Sequence, residues 1–386
     1  MHIQISPGKS KDWGPYVLTA TRYNLTDNIN GRLYLDYRDR LGLAGGFGAN
    51  LNSKNFGQAD FKFYHTQERP KRLSEAERDE YERYLLRLRY KWTISSRTSL
   101  ISELHKVKDE KRKSLGNEHD FLKDYFYREY EKDTQPLSYI LLHHNFNSAG
   151  LDLLFQKRLN RWYDYVEKLP QLRYTLPSYK LGQSPFYFSN ITDLSHLDKK
   201  DPLNNTDITS TRLDIYNNLV FPFKFYIFNL SPFVGIRNTL YDKDNQDDEL
   251  PLRNVFYTGL DISTKFYRTF DTKTNLLGLD INKLRHIITP SLKYTYNHKP
   301  TLSSRKIRQI DSVDAIAEDN RIKLELTNKL QTKRKDTTTD LLTLRLDTDY
   351  IFSSKKPLTE EKTKEKFSEL NIDLELFPYS WLRIDS

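Results

Sequence analysis

The chain has 386 residues and no cysteine, and its 61 Lys and Arg against 52 Asp and Glu give a formal charge of +9. The lack of cysteine excludes disulfide scaffolds, cysteine-ligated zinc, iron–sulfur clusters and thiol nucleophiles. No apolar stretch approaches the roughly 18 residues of a membrane-spanning helix, which excludes a helical membrane protein. With 26 Tyr, 21 Phe and 4 Trp, the chain is too rich in aromatic residues to be disordered throughout.

Alternation of apolar and polar residues recurs along the chain and predicts about seventeen β-strands. Twelve of them are predicted at 14–24, 29–38, 42–52, 58–66, 97–107, 136–146, 149–158, 171–176, 184–192, 210–219, 223–238 and 254–270. The remaining five oppose an apolar face to a charged face most clearly, at 84–94, 288–297, 321–330, 344–352 and 370–376.

One segment departs from this alternation. Ser74 and Glu77 fit a capping box, and Leu73, Tyr84 and Leu88 approximate helical spacing. The sequence therefore predicts a short helix within 73–89 that leads into the strand at 84–94.

The connections between the predicted strands differ in length. Short ones, such as 26–28, 39–41 and 95–97, stand beside long polar ones at 67–82, 108–121, 193–208, 239–251, 298–320 and 353–366. Short turns at one end and long polar loops at the other are typical of an up-and-down barrel whose ends face different compartments.

Strand length separates two all-β folds. A soluble β-sandwich also alternates, but its strands average about five or six residues. Many strands here reach the roughly 9–11 residues that cross a bilayer when tilted. Tyr90, Trp92, Tyr294 and Tyr296 also place rings near strand ends, where a barrel meets the lipid headgroups. The pattern favours a large antiparallel transmembrane β-barrel, while in a sandwich the same rings would form the core.

The charged faces of these strands indicate the nature of the interior. If the apolar faces contact lipid, then Arg87, Arg89, Lys91 and Lys293 line the lumen. An unpaired ion buried away from water costs several kcal/mol or more. The lumen must therefore be wet and wide, as in a large barrel that passes or holds a polar cargo.

Three groups of segments follow one another in a particular order. The first group is a Pro- and Gly-marked strand at 6–17, followed by 23–25 and by a Tyr-, Arg- and Gly-rich hairpin at 33–48. The second group is a Leu-Pro strand pair at 169–177 and 184–188. The third group consists of 285–296, 310–314 and 320–330. In this order they resemble the outer-membrane barrel of the LptD family of lipopolysaccharide-assembly proteins, also called the organic-solvent-tolerance family. The resemblance covers nearly the whole chain.

The resemblance implies a protein of the cell outer membrane that receives lipopolysaccharide from a periplasmic bridge protein of the LptA type. It also implies a plug lipoprotein of the LptE type and folding by the barrel-assembly machinery. The sugar part would cross the hydrated lumen, and the lipid would leave laterally between the first and last strands. On this interpretation residues 1–386 are part of the barrel domain, and the periplasmic jelly-roll domain, the signal peptide, the last strands and the cysteines of some members are missing.

A lateral exit needs a weak seam, and proline weakens a strand pair because it has no N–H donor. Pro7, Gly8, Gly14 and Pro15 are therefore the candidates for a lateral gate, although Pro and Gly also simply begin strands. Arg87, Arg89, Lys91 and Lys293 are candidates for contact with the phosphates and acidic sugars of the cargo. The alternative is a hydrated lining without specificity.

Other chemistry is not expected. His143 and His144 are neighbours in a predicted strand and point to opposite faces, so they are not expected to share a metal. The charged run at 108–113 mixes signs, which favours a solvated loop over a nucleic-acid site. No spacing suggests a catalytic arrangement, so we expect no enzyme activity and no cofactor. Two alternatives stay open: a soluble basic all-β protein that binds polysaccharide or nucleic acid, and a passive porin.

Overall fold

The computed structural model describes residues 2–68, 80–115, 119–200, 207–246, 250–334 and 337–385. Strands make up 69% of the structure, and 23 of them belong to one antiparallel sheet. The prediction of a large all-β antiparallel fold is confirmed.

The strands follow one another along the chain with few interruptions. They are β1 His2–Ser10, β2 Gly14–Thr26, β3 Ile29–Arg38, β4 Gly42–Ser53, β5 Gly57–Glu68, β6 Tyr81–Thr93, β7 Thr98–Asp109, β8 Tyr139–Asn145, β9 Gly150–Gln156, β10 Val166–Lys180, β11 Tyr187–Lys200, β12 Asp207–Val220, β13 Phe223–Phe225, β14 Phe228–Tyr241, β15 Leu252–Ser263, β16 Phe266–Thr274, β17 Ile281–Asn297, β18 Asp319–Arg334, β19 Thr337–Lys355, β20 Lys362–Thr363, β21 Lys366–Phe367, β22 Asn371–Tyr379 and β23 Leu382–Asp385. Of the strands in these ranges, nineteen have seven residues or more, against the seventeen or so that alternation predicts.

Three short helices occur between β7 and β8: α1 Glu110–Leu115, α2 Phe121–Tyr125 and α3 Tyr127–Lys132. Single 3-10 turns lie at Leu276–Gly278 and Ser304–Lys306. None of the helices in the described residues is long and apolar enough to cross a membrane.

The helix predicted within 73–89 is wrong where the structure can test it. Residues 69–79 lie outside the described residues, and β6 begins at Tyr81. Tyr84 and Leu88 lie on one face of that strand, since a spacing of four residues satisfies the period of two as well as the period of a helix. Pairing with β5 and β7 along the whole of β6 decides in favour of the strand.

The chain divides into two compact units. The first comprises residues 1–174 and 193–211, and the second comprises residues 175–192 and 212–386. In each unit, neighbouring strands pair as antiparallel hairpins, as β3 does with β4 and β17 does with β18.

The two faces of the sheet have opposite chemistry, and the apolar one is exposed. On β3, Leu33 and Leu35 are 49% and 66% exposed, whereas Asp36 and Arg38 on the other face are buried. A soluble sandwich would bury the leucines and expose the charges. We call these two sides the apolar face and the polar face of the sheet.

In the first unit, one end of the strands carries the short turns 27–28, 54–56, 94–97 and 146–149, as predicted, and the other carries the long connections 110–138 and 157–165. The short turn 39–41 departs from the prediction, because it lies at the end that carries the long connections. In the second unit, the long connections 298–318 and 356–370 lie at one end of the strands. The prediction of a loop over 193–208 is wrong for residues 193–200, which continue β11. These residues alternate Asp193, Ser195 and Leu197 on a buried face, a period that their many polar side chains conceal.

Candidate functional site: the polar face and the first strand edge

In the first unit, strand register gathers a set of ionisable side chains on the polar face. Glu68 lies opposite Tyr81, and Thr66 lies opposite Arg83, across the β5–β6 pair. Arg83 in turn lies opposite Asp109 across the β6–β7 pair. Because every second residue of a strand faces the same side, these groups meet on the polar face.

Arg83 is the centre of this set and is fully buried. Its guanidinium lies 2.6 Å from Glu68, 2.9 Å from Asp109 and 2.9 Å from Asp124 of α2. The Glu68 carboxylate also accepts from Lys111 at 3.1 Å and from the Tyr125 hydroxyl at 2.9 Å. We call Arg83 and its three carboxylate partners the Arg83 cluster.

Residues 110–115 and 119–138 fold back over this part of the polar face, and apolar side chains of α2 complete a small core. Phe121, Leu122 and Tyr125 of α2 are buried against strand residues that include Tyr64 and Leu85. Asp120 caps α2 by accepting from the backbone N–H groups of residues 122 and 123. The described residues of the connection between β7 and β8 therefore form a cover at the long-loop end.

Arg38 joins the first hairpin to this cover. Its guanidinium carbon lies 4.5 Å from the ring centre of Trp13 and 4.5 Å from that of Tyr125. It also donates to the Tyr64 hydroxyl at 3.0 Å, and that hydroxyl donates to Asp36 at 2.5 Å. Stacking a guanidinium between two rings is a favourable arrangement for a desolvated arginine.

Glu129 of α3 holds the edge of the cover through Lys62 and Arg87. Its carboxylate lies 3.0 Å from Lys62 and 2.5 Å from Arg87, which also pairs with Asp60 at 2.8 Å. Burial opposes ionisation of Glu129, but the two cations outweigh it and lower its pKa. The neighbouring Asp124 shows the opposite outcome, because burial raises its pKa despite Arg83.

Beyond the cover, the polar face of β6 is open to solvent. Arg87 has little exposed surface, whereas the side chain of Arg89 is 54% exposed and its nearest carboxylate, Glu103, lies 3.8 Å away. Lys91 is exposed and has no ion pair within 4.0 Å in the described ranges. Arg89 and Lys91 line one depression together with Asn50, Asn52 and Gln58. Of the four predicted cargo contacts, Arg87 is therefore covered, whereas Arg89 and Lys91 are accessible to solvent.

The second unit contains a comparable cover formed by the connection between β17 and β18. Arg212 of β12 donates to Asp311 at 2.8 Å and to Asp314 at 2.9 Å. The Tyr241 hydroxyl donates to the same Asp314 carboxylate at 3.0 Å. Asp314 also accepts from the backbone N–H groups of residues 310 and 311, so it fixes the turn from both sides.

Arg253 of β15 adds a second attachment for this connection. Its guanidinium donates to the carbonyl oxygens of Val313 at 3.0 Å and Asp314 at 3.2 Å, to that of Ile316, and to the Ser304 hydroxyl at 3.0 Å. Arg253 is 1% exposed. A buried arginine that satisfies four acceptors of one loop holds that loop in a single arrangement.

Lys293, the fourth predicted cargo contact, lies on the open polar face of β17. Its ammonium is 3.8 Å from Asp261 on the neighbouring strand, and its side chain is 55% exposed. Lys323 lies directly opposite on β18 and pairs with Asp347 at 3.2 Å. This face of the second unit is a series of alternating charges with accessible cations.

The four gate candidates lie in one hairpin. Pro7 and Gly8 are on β1, opposite Val17 and Tyr16, while Gly14 and Pro15 begin β2. A Cβ atom on Gly8 would lie 2.3 Å from the Tyr16 ring, so only glycine lets that ring cross the strand. Gly14 has a φ of +71°, which the tight turn requires.

The two halves of this hairpin differ in their partners. Among the described residues β1 pairs with β2 alone, whereas β2 pairs with β1 and β3, and the sheet is not closed. Pro7 and Gly8 therefore border an unpaired strand edge, and Gly14 and Pro15 do not.

The adjacent histidines bind different groups. The Nδ1 atom of His143 lies 2.5 Å from Asp152, and that of His144 lies 2.9 Å from the Thr98 hydroxyl. No group of three or more potential metal ligands occurs in the part of the chain that the structure describes.

Sequence reasoning missed both covers and the arginines that hold them. Arg83 has the same alternation as Arg87, but Glu68 and Asp109 are 15 and 26 residues away. Arg212 and Arg253 bind residues more than 50 positions later in the chain. The only sequence indication was the segment 310–314, which contains both Asp311 and Asp314.

Solved outer-membrane proteins are similar to this chain at low identity and low TM-score. OccK5 (OpdH) of Pseudomonas aeruginosa is 8% identical with a TM-score of 0.36, and the match covers 96% of this chain and 92% of that chain. OccD3 (OpdP) of the same organism is 9% identical with a TM-score of 0.37, over 93% and 85%. OmpT of Vibrio cholerae with loop L8 deleted is 8% identical with a TM-score of 0.31, over 97% and 98%.

The family comparison is more specific. No curated protein sequence matches the chain. The family model described as LptD, LPS transport system D, matches residues 107–386, which is well over half of the sequence. This range contains both covers, Lys293 and the segment 310–314. The chain is therefore a member of the LptD family, whose work is lipopolysaccharide transport at the outer membrane.

Proposed function

We propose that this chain forms the passage for lipopolysaccharide across the outer membrane, with the sugar part on the polar face and lateral release of the lipid at the edge of β1. The family is one of transport proteins and not of enzymes. Residues 1–386 belong, on this proposal, to one barrel domain.

The observation that carries the proposal is the division of the polar face of β6. Its part at the long-loop end is closed by the Arg83 cluster and its cover, while Arg89 and Lys91 stand open towards the short turns. In outer-membrane barrels the short turns are periplasmic. Accessible cations at the periplasmic end suit a cargo that arrives there with phosphates and acidic sugars.

Lys293 has the same properties in the second unit, where it is half exposed beside a distant carboxylate. Arg87 differs, because Asp60 and Glu129 already occupy its guanidinium. We therefore assign cargo contact to Arg89, Lys91 and Lys293, and Arg87 joins them only when α3 leaves the polar face.

Lateral release is supported by the edge of β1. Each unpaired backbone group in lipid costs several kcal/mol, so this edge needs a partner strand in the membrane. Pro7 has no N–H to donate to such a partner. Gly8 has no side chain, and the ring of Tyr16 occupies the space where one would begin. We assign the seam to Pro7 and Gly8, and we assign Gly14 and Pro15 to the turn that positions them.

The proposed passage requires partners that deliver cargo and fill the lumen. A periplasmic bridge protein of the LptA type, a plug lipoprotein of the LptE type and the barrel-assembly machinery meet those needs. A passive porin is the competing function, since it shares the barrel and a charged lumen. A soluble polysaccharide- or nucleic-acid-binding protein does not fit an outer-membrane location.

Site-specific photocrosslinking tests the proposal. A photoreactive benzoylphenylalanine replaces Lys91 on the polar face, and the matched control replaces Trp92, the next residue, on the apolar face near the same short turn. We expect a lipopolysaccharide adduct from position 91 and phospholipid adducts from position 92. Equal lipopolysaccharide labelling at both positions, or none at 91 in cells that export lipopolysaccharide, would refute passage along this face. Steady ion conductance without any adduct would favour the porin.

A further inference from the structure

Three strands at the short-turn end of the second unit carry exposed aromatic side chains. Phe223, Phe225 and Phe228 belong to the β13–β14 hairpin, and Phe266 and Phe270 belong to β16; all five are at least 40% exposed. The Thr264 hydroxyl donates to the carbonyl oxygen of Ile227 at 2.9 Å and so joins the two elements. The aromatic residues are placed by ordered structure.

The pairing of β16 indicates its depth in the membrane. Among the described residues β16 pairs with β17 alone, so one of its edges lacks a strand partner. The neighbouring strand β14 pairs with β15 only as far as Asn229 opposite Ser263, so β16 extends past the short-turn end of β14. Because an unpaired edge is costly in hydrocarbon and the short turns of such barrels are periplasmic, we place β16 at the level of the periplasmic lipid headgroups.

Register shows which face of β16 contacts the lipid. Phe266 lies opposite Ile288, Arg268 opposite His286, and Phe270 opposite Leu284. Further along β17, the same face continues with Pro290, Leu292 and Tyr294, which is the apolar face of the sheet. Arg268 and His286 thus form a cross-strand basic pair on the membrane side, between two phenylalanines.

Arg268 has no internal carboxylate to neutralise it. Its guanidinium carbon lies 5.1 Å from the ring centre of Phe270, and no ion pair within 4.0 Å involves it in the described part of the chain. The nearby Asp271 lies at an irregularity in the β16–β17 register and approaches Lys283 at 3.8 Å. A cation held on an aromatic ring at headgroup depth is placed to meet an anion from the bilayer.

We propose that Arg268 and His286 bind the phosphate of an anionic glycerophospholipid in the periplasmic leaflet, while Phe266 and Phe270 hold the strand at headgroup depth. Guanidinium binds phosphate in a fork geometry that adds specificity to charge attraction. Aromatic rings suit the boundary because they are apolar in body and polar at the edge. This site is separate from the cargo path on the polar face and requires only the outer-membrane location.

Native mass spectrometry of the detergent-solubilised full chain tests this site with three added lipids: dioleoylphosphatidylglycerol, dioleoylphosphatidylcholine and lipid A. The variant is Arg268→Gln, and the control is Lys283→Gln, which removes a charge from the same end of the sheet that already has a carboxylate, Asp271, at 3.8 Å. A heat-modifiability gel verifies that each variant is folded.

We expect Arg268→Gln to weaken phosphatidylglycerol binding about fivefold, which corresponds to one lost cation near an anionic surface. Lys283→Gln should bind phosphatidylglycerol as the unaltered chain does, and phosphatidylcholine should bind all three chains alike. Equal phosphatidylglycerol binding by the unaltered chain and Arg268→Gln would overturn the proposal. A preference for lipid A that Arg268→Gln abolishes would also overturn it, because the site would then belong to the cargo.

Discussion

Replacing Arg83 by methionine tests whether the cover over the polar face depends on one buried arginine. Arg83 and Glu68 have no exposed side-chain surface, and Asp109 has almost none. Removing the guanidinium leaves two carboxylates buried without their main counterion. Breaking a buried ion pair from one side costs about 3–5 kcal/mol.

The structure places the expected loss at the lower end of that range. Glu68 keeps Lys111 at 3.1 Å and Tyr125 at 2.9 Å, and Asp109 keeps the backbone N–H of residue 121 at 2.8 Å. These contacts retain part of the compensation. We expect Arg83→Met to lower the free energy of unfolding by about 3 kcal/mol.

Urea unfolding in detergent micelles, followed by tryptophan fluorescence, measures this loss. Arg345→Met is the matched control, because Arg345 is also a strand arginine that pairs with a carboxylate, Asp373 at 2.8 Å, but both side chains are about half exposed. An exposed pair contributes about 0–1 kcal/mol. The double variant Arg83→Met with Glu68→Gln should recover part of the loss. A loss for Arg83→Met no larger than that for Arg345→Met would show that the cover does not depend on the buried arginine.

Three further predictions concern the second cover, pH and the strand edge. Arg253→Met should increase protease cleavage within 298–318 roughly tenfold, because charge-assisted hydrogen bonds contribute about 1.5–3 kcal/mol. A cleavage rate equal to that of the control variant Arg345→Met would contradict this prediction. The lowered pKa of Glu129 gives stability that is present above its ordinary value of 4.5 and is lost as the pH falls through the folded value. Amide exchange of residues 121–132 should therefore accelerate below about pH 4.5, and Glu129→Gln should show fast exchange already at pH 7. The raised pKa of Asp124 has the opposite effect on stability, but it is present in the unaltered chain and in the variant, so the difference in exchange between the two chains reports Glu129 alone. Pro7→Ala restores an N–H donor at the seam, and its hydrogen bond stabilises the closed seam by about 1 kcal/mol. This variant should slow the appearance of new lipopolysaccharide at the cell surface, whereas Pro232→Ala, in a strand paired on both sides, should not. Equal export rates for the two proline variants would remove Pro7 from the gate.

The sheet was predictable because its physical cause is local. On β6, Tyr84 and Leu86 alternate with Arg87 and Arg89, and the period of two assigns both the strand and its faces. The same rule misled the prediction at 193–200, where polar residues on both faces hide the alternation. The difference between the two ends also followed from loop length alone.

The covers were not predictable because their causes are long-range. Glu68 and Arg83 are separated by a connection whose length says nothing about their contact, and Arg212 meets Asp311 across 99 positions. α2 has only five residues, too few for helical periodicity to appear in the sequence. Whether Arg87, Arg89 and Lys91 are covered or accessible depends on the position of α3. The alternation of β6 is the same at all three residues, so it could not distinguish the covered Arg87 from the accessible Arg89 and Lys91.

The Arg83 cluster also sets an order in time for assembly of the first unit. Its four members come from the end of β5, the start of β6, the end of β7 and α2. An arginine buried before those carboxylates arrive would be strongly unfavourable, so α2 can settle only after the three strands have paired. The newly made polar face is therefore uncovered while the hairpins enter the membrane, and it closes last.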